Sequence, residues 1–266
     1  MTELPGKDHL TVELTSTATV EIAIATHSGS APAKGEEARP SDRETLLNCD
    51  AAAVHTVPHT GIVGVGLVDG IGHSDDLADY AKIAAEVMAR VGSRTTASLG
   101  LLNASSLNNT APPGTRIVID GVGMCAVVLP DGQTGISGTG DCRAHGWHPD
   151  RGLRSLTDDQ TMGAYLRSTG IDPDFSQPFD AWPQTSLGRC TPSSIARVQV
   201  DDPLVLLSTD GVHDRLTPDT IAALVTKHAG DLRALATALV TPDEPALGQE
   251  IDDATVIILR HLTATP

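Results

Sequence analysis

The chain has 266 residues, long enough for one large domain or two small ones. Its 34 Asp and Glu outnumber 18 Lys and Arg, and the resulting net charge of -16 repels phosphate backbones and anionic lipid, which argues against nucleic acid or a membrane surface as partner. Two Trp, two Tyr and two Phe leave the core to Val, Ile, Leu and Ala, and the four cysteines (Cys49, Cys125, Cys142, Cys190) stand singly, without the paired spacing of a zinc knuckle or a disulfide framework.

The opening stretch "LTVELTSTATVEIAIAT" is rich in β-branched residues and predicts two strands, and "KGEEARPSDRE" predicts a polar loop. Strands are expected at "LLNCDAAAV" and "GIVGVGLVDG". From Asp75 to about Arg90, apolar residues recur at three and four positions, which predicts an amphipathic helix capped by Ser74 with Asp75 and Asp76 at its positive end. A second helix is expected over roughly Arg94 to Leu107, ended by "NNTAPPGT". The period then becomes that of strands at "RIVIDG", "GMCAVVLPDG", "QTGISGTGD" and "RAHGWHP". A helical segment near Asp158 to Ser168 leads into the irregular "GIDPDFSQPFDAWPQTSLGRCTP". Strands "IARVQV" and "PLVLLSTDG" follow, then helices over Pro218 to Lys227 and Asp231 to Leu239, and a final apolar strand, "DDATVIILR". Strand clusters flanked by helix pairs predict a single α+β domain over residues 1–266, with two packed sheets and helices outside. The N-terminus "MTELPGKDHL" lacks the layout of a signal peptide and no run is long enough to span a bilayer, so a cytoplasmic protein is expected.

Two motifs lead nowhere. "GVGMCA" fits the dinucleotide fingerprint, but the hairpin signal "VVLPDGQTG" follows it where a helix is required, and Ser208 in "LLSTDG" lacks the glycines of a nucleophile elbow. What recurs is an apolar strand ending in a carboxylate: Asp69 in "VGLVDG", Asp210 in "VLLSTDG", Asp141 after "SGTG" and Asp252 before "ATVIIL". Each acid alone reads as a turn or a solvated surface group. Gathered at neighbouring strand ends they would repel one another unless a cation neutralised them, and an all-oxygen set suits Mg²⁺ or Mn²⁺.

With these motifs in place, the sequence resembles the bacterial metal-dependent Ser/Thr protein phosphatases of type 2C, the PPM family, in order from about residue 43 to residue 260. "NCD" is similar to the family's first acidic motif, "LVDGIGH" to its Asp-Gly motif, and Gly123 with its strand to the Gly-Thr strand. "GTGDCRA" resembles the Gly-Asp-Ser-Arg motif, "LTDDQTMGAYLRSTG" the Leu-Thr-x-Asp-His segment, "TSLG" the segment closing the flap, "LLSTDGVHD" the Ser-Asp-Gly-x-x-Asp motif and "DDATVII" the terminal strand. The resemblance implies a four-layer α-β-β-α sandwich of two antiparallel sheets with a two-metal centre holding Mn²⁺ or Mg²⁺, and a weaker third metal site. Carried over by position, Asp69 would bridge both ions with the Gly70 carbonyl on the second. Asp210 and Asp252 would complete the first site, Asp50 would hold the attacking water, and Asp141 with Asp214 would form the weaker third site. The implied partners are phosphoproteins of a Ser/Thr kinase, acted on by a monomer.

Departures from the family pattern concern the grip on substrate. The arginine expected five residues before Asp50 is Thr45, with Arg43 the nearest candidate for weak phosphate binding. Cys49 stands where Glu or Gln is common, Met124 and Cys125 replace threonines, Asp253 replaces asparagine, and Ile71 fills the place of a histidine found in eukaryotic relatives. His73 lies close by and fits a structural role equally. The missing arginine also motivates a rival from another class, a catalytically weak or inactive phosphatase-fold domain that binds a protein partner.

Overall fold

Alternating apolar residues on one group of strands, and continuous apolar runs on another, leave two sheets that must bury faces against each other and against helices. The computed structural model describes residues 10–16, 20–33, 43–108, 119–242 and 249–262. One sheet has the order β1 (Leu10–Ser16), β2 (Val20–His27), β13 (Ala254–His261), β12 (Leu204–Ser208), β9 (Arg143–His148) and β10 (Gly152–Ser155). The other has the order β11 (Ala196–Val200), β8 (Thr134–Thr139), β7 (Gly121–Val128), β6 (Val63–Gly70) and β5 (Ala51–Thr56). Every pairing in both is antiparallel. A short ribbon of β3 (Ser30–Pro32) and β4 (Arg43–Thr45) stands apart.

Three apolar layers hold the stack together. Ile22, Val65, Leu67, Met124, Ile136, Leu207, Ile257 and Leu259 fill the space between the sheets. Helices α1 (Asp75–Gly92) and α2 (Ala97–Ser105) cover the five-stranded sheet, with Leu77, Ala81, Ala84, Met88 and Leu101 inward. On the outer face of the six-stranded sheet, α6 (Pro218–Lys227) and α7 (Leu232–Val240) bury Ile221, Val225, Leu235 and Leu239. The expected four-layer sandwich is the one observed. Between β10 and β11 lie α3 (Met162–Ser168) and α4 (Pro173–Ser176), and α5 (Asp210–His213) follows β12. Among the described residues no helix is long and apolar enough to cross a membrane.

Helix α1 begins as its sequence dictates: the Ser74 hydroxyl accepts from the Leu77 amide, and Asp75 and Asp76 occupy the first turn. It packs so closely on β6 that a Cβ at Gly66 would lie 2.3 Å from the Ala85 carbonyl oxygen and 2.8 Å from the Met88 Cβ. Only glycine lets helix and strand meet at this distance.

Several boundaries differ from the sequence expectation for local reasons. "LLNCDAAAV" becomes a strand only at Ala51, because the Cys49 amide donates to Asp253 and the Asp50 amide to Asn48, which takes both out of any ladder. The helix expected from Arg94 starts at Ala97, where the Thr96 hydroxyl caps it. That expected from Asp158 starts at Met162, capped by Thr161. Strands β3, β4 and β10, of three or four residues each, gave no periodic signal. Half of the expected strand "RIVIDG", and most of the loop "KGEEARPSDRE" and of the breaker "NNTAPPGT", lies outside the described residues.

Candidate metal centre

The carboxylates meet at one end of the sandwich, where both sheets contribute. Strand β6 ends on Asp69 and Gly70, paired with Val122 and Gly121 of β7. Asp50 immediately precedes the neighbouring β5, Asp210 opens α5 just after β12, and Asp252 precedes β13. Asp141 sits in the turn from β8 to β9, where the chain passes from one sheet to the other. Asp69, Gly70, Asp141, Asp210 and Asp252 line a single cleft of about 170 Å³ together with Ile71, Gly72, His73, Val122, Ala181 and Pro183. A side chain at Gly70 would collide with the Cys49 carbonyl oxygen at 2.6 Å, so glycine is needed for the β6 end to lie against the segment carrying Asp50.

Asp50 is held behind the cleft. Its Oδ2 accepts from the Thr209 hydroxyl at 2.8 Å, and the Thr255 amide donates to the same Thr209 oxygen at 2.9 Å, tying β5 to the far sheet. Asp69 is half-buried and lines the cleft. Burial by the surrounding protein, followed by the charges of Asp210, Asp50, Asp141 and Asp252, pushes its carboxyl well above the usual range. Burial first, then Asp253, does the same to Asp50. For Asp210, burial and then the charge of Asp252 raise the pKa to about 7, and for Asp141 burial is again the first cause of a rise to about 6. Asp214 caps α5 at its C-terminal end, exposed and outside the cleft lining, but its charge acts on Asp141 and Asp210. These shifts have one physical origin: carboxylates from separate strands are pressed together with too little water to disperse their charge. The donor set is all oxygen and anionic, so it fits hard divalent cations such as Mg²⁺ or Mn²⁺.

Arg43 is engaged elsewhere. Its Nε donates to the Ser30 hydroxyl at 2.9 Å, and its two terminal nitrogens donate to the carbonyls of Gln249 and Ser30, each at 2.7 Å. It fastens the β3–β4 ribbon and does not line the cleft, where His73 is the basic residue. Arg143 forms a two-pronged ion pair with Asp159 at 2.8 and 2.6 Å, and its charge partly offsets the rise in pKa that burial imposes on Asp141 and Asp214.

Three further positions organise the site through contacts that no sequence signal indicated. Thr209 holds Asp50, as described. Asp253 accepts from the Gly29 and Cys49 amides, each at 2.7 Å. Asp120 joins the cleft to the segment over it: its carbonyl accepts from the Ile71 amide, while its carboxylate accepts from the Ser186 hydroxyl at 2.6 Å and the Gly188 amide at 2.9 Å. The pairs Asp120–Ser186, Thr209–Asp50 and Asp253–Gly29 span 66, 159 and 224 positions, beyond any local signal.

No family model and no curated protein matches the sequence. Solved structures do match in shape. A bacterial serine phosphatase aligns with a TM-score of 0.66 at 17% identity, covering 92% of this chain and 99% of that one. The PPM Ser-Thr phosphatase MsPP from Mycobacterium smegmatis, in complex with cacodylate, aligns at 0.58 and 18% identity, covering 89% and 97%. The catalytic domain of the serine threonine protein phosphatase PstP, in complex with two manganese ions, aligns at 0.59 and 15% identity, covering 92% and 100%. The chain has the fold of the bacterial PPM phosphatases across most of its length.

Proposed function

We propose that the chain forms one catalytic domain, a Mg²⁺- or Mn²⁺-dependent phosphatase that hydrolyses phosphoserine and phosphothreonine in proteins. The observation that carries this reading is the meeting of Asp69, Asp141, Asp210 and Asp252 from both sheets at one cleft with Asp50 behind it, in a fold shared with phosphatases of which one holds two manganese ions. Asp69 would touch both ions and the Gly70 carbonyl the second, with Asp210 and Asp252 on the first. Cations held there would supply Lewis acidity, acidifying water and neutralising phosphoryl charge. Asp50, anchored through Oδ2 by the Thr209 hydroxyl, would hold the attacking water. Asp120 positions the Ser186–Gly188 end of the covering segment against the same loop. With Arg43 committed to the ribbon, phosphate binding falls to the ions. The complete acid set speaks against the inactive, partner-binding alternative. A cytoplasmic monomer acting on the products of a Ser/Thr kinase is the setting this chemistry fits.

The test is hydrolysis of a chromogenic phosphate ester and a phosphothreonine peptide before and after exhaustive chelation. Turnover is expected to vanish on chelation and return with added Mn²⁺ or Mg²⁺ in the millimolar range, since ions held by few carboxylates and several waters bind loosely. Full activity after chelation, or none with either ion, would overturn the reading. At the third position, Asp141→Ala and Asp214→Ala are each expected to lower turnover while calorimetry still counts two bound ions. Loss of all metal in either variant would mean that these roles are wrongly assigned.

A further inference from the structure

Cys49, His73 and Asp253 come from three separate segments: the approach to β5, the loop between β6 and α1, and the approach to β13. A cysteine sulfur, an imidazole nitrogen and a carboxylate oxygen, one from each, all lie within 4.8 Å of one another. We propose that these three side chains form a separate site for Zn²⁺ on the rim of the acidic cleft.

The mixture of donors decides the ion. A thiolate and an imidazole beside one carboxylate suit borderline-soft Zn²⁺, whereas Mg²⁺ and Mn²⁺ favour the all-oxygen set inside the cleft. Three protein ligands leave a fourth tetrahedral position for water. Two of the ligands are fixed in advance. Asp253, buried, has one oxygen on the Gly29 amide and the other on the Cys49 amide, and each carboxylate oxygen retains a lone pair. Cys49, also buried, directs its sulfur toward the Ser74 carbonyl at 3.8 Å, beside His73 in sequence.

The histidine has a support suited to a metal site. Its Nδ1 lies 3.4 Å from the Leu47 carbonyl, and a proton on Nδ1 donated to that carbonyl leaves Nε2 with the lone pair. A backbone carbonyl on the far ring nitrogen is the usual support of a ligating imidazole. Donors around Zn²⁺ stand about 3.5 Å apart, so the trio needs to close by no more than about 1 Å, and the exposed His73 is the side chain free to do so. His73 also lines the cleft, which gives the ion its way in. Asp252 and Asp50 face the acid cluster while their neighbours Asp253 and Cys49 turn to the zinc site. The site does not depend on the phosphatase reading.

The experiment uses Co²⁺ as a spectroscopic stand-in for Zn²⁺ on the full-length chain, with excess Mg²⁺ present to occupy the acidic cleft. A thiolate-to-cobalt charge-transfer band is expected at one equivalent, together with the visible absorption of a tetrahedral ion, and one equivalent of Zn²⁺ should erase both. Cys49→Ser should abolish the charge-transfer band and weaken Zn²⁺ binding at least tenfold. His73→Ala, a change at an exposed residue that leaves folding intact, should weaken Zn²⁺ binding at least tenfold while keeping the band. Cys190→Ser should alter neither. Absence of the band in the wild type, its persistence in Cys49→Ser, or unchanged Zn²⁺ affinity in His73→Ala would each overturn the proposal.

Discussion

Asp69→Asn is expected to lower metal-dependent hydrolysis by ~10³-fold or more, about 4 kcal/mol of barrier. A carboxylate at the convergence of the other acids is the one ligand whose loss touches both proposed ions, so added metal should not restore the rate. Asn keeps the shape and the turn propensity, and the change therefore isolates charge from geometry. It also removes one of the charges that raise the neighbouring acids, since Asp69 interacts with Asp50, Asp141, Asp210 and Asp252. The metal-free variant should melt at least as high as the metal-free wild type and lose most of the stabilisation that Mn²⁺ confers. Wild-type turnover and an unchanged Mn²⁺-induced rise in melting temperature would reduce Asp69 to a turn residue.

Gly66→Ala is expected to destabilise the fold by about 3 kcal/mol, at the upper end of overpacking costs. The added methyl would meet the Ala85 carbonyl at 2.3 Å, and that oxygen belongs to the backbone of α1 and cannot rotate away. Relief requires the helix to lift from β6, exposing Ala81, Ala84, Ala85 and Met88, or β6 to bow, carrying Asp69 with it. Denaturant unfolding would show a lower midpoint at an unchanged slope, and metal affinity should fall with it. A midpoint within error of wild type would mean that α1 is not seated on β6 as tightly as these distances imply.

Much of the sandwich was legible because its signals are local. Ser74 and the spacing of Leu77, Ala81, Ala84 and Met88 specify α1, and the bounds of α6 coincide with the expectation. The acids at strand ends could be read as a convergent set because strand ends lie together whenever strands pair. The supports of the site could not be read that way. Asp120 reaches Ser186, Thr209 reaches Asp50 and Asp253 reaches Gly29, and none of these pairs leaves a periodic or spacing trace. Arg43 shows the same limit: its charge and position suggested phosphate, but the fold commits that guanidinium to Ser30 and Gln249. Donors that satisfy buried or half-buried carbonyls are chosen by tertiary geometry, which sequence spacing does not encode.

Because Asp50 and Asp69 hang from one sheet while Asp210 and Asp252 hang from the other, uptake of the proposed ions would depend on how the two halves of the sandwich are aligned. A slip of one residue in the β6–β7 register would turn Asp69 to the opposite face, away from the other acids. A chain folded out of register could still bury apolar surface, but it would have nothing to offer a divalent ion. If the proposed ions bind there, loading would report on alignment, because only molecules whose sheets have closed in the correct register would present the full set of carboxylates.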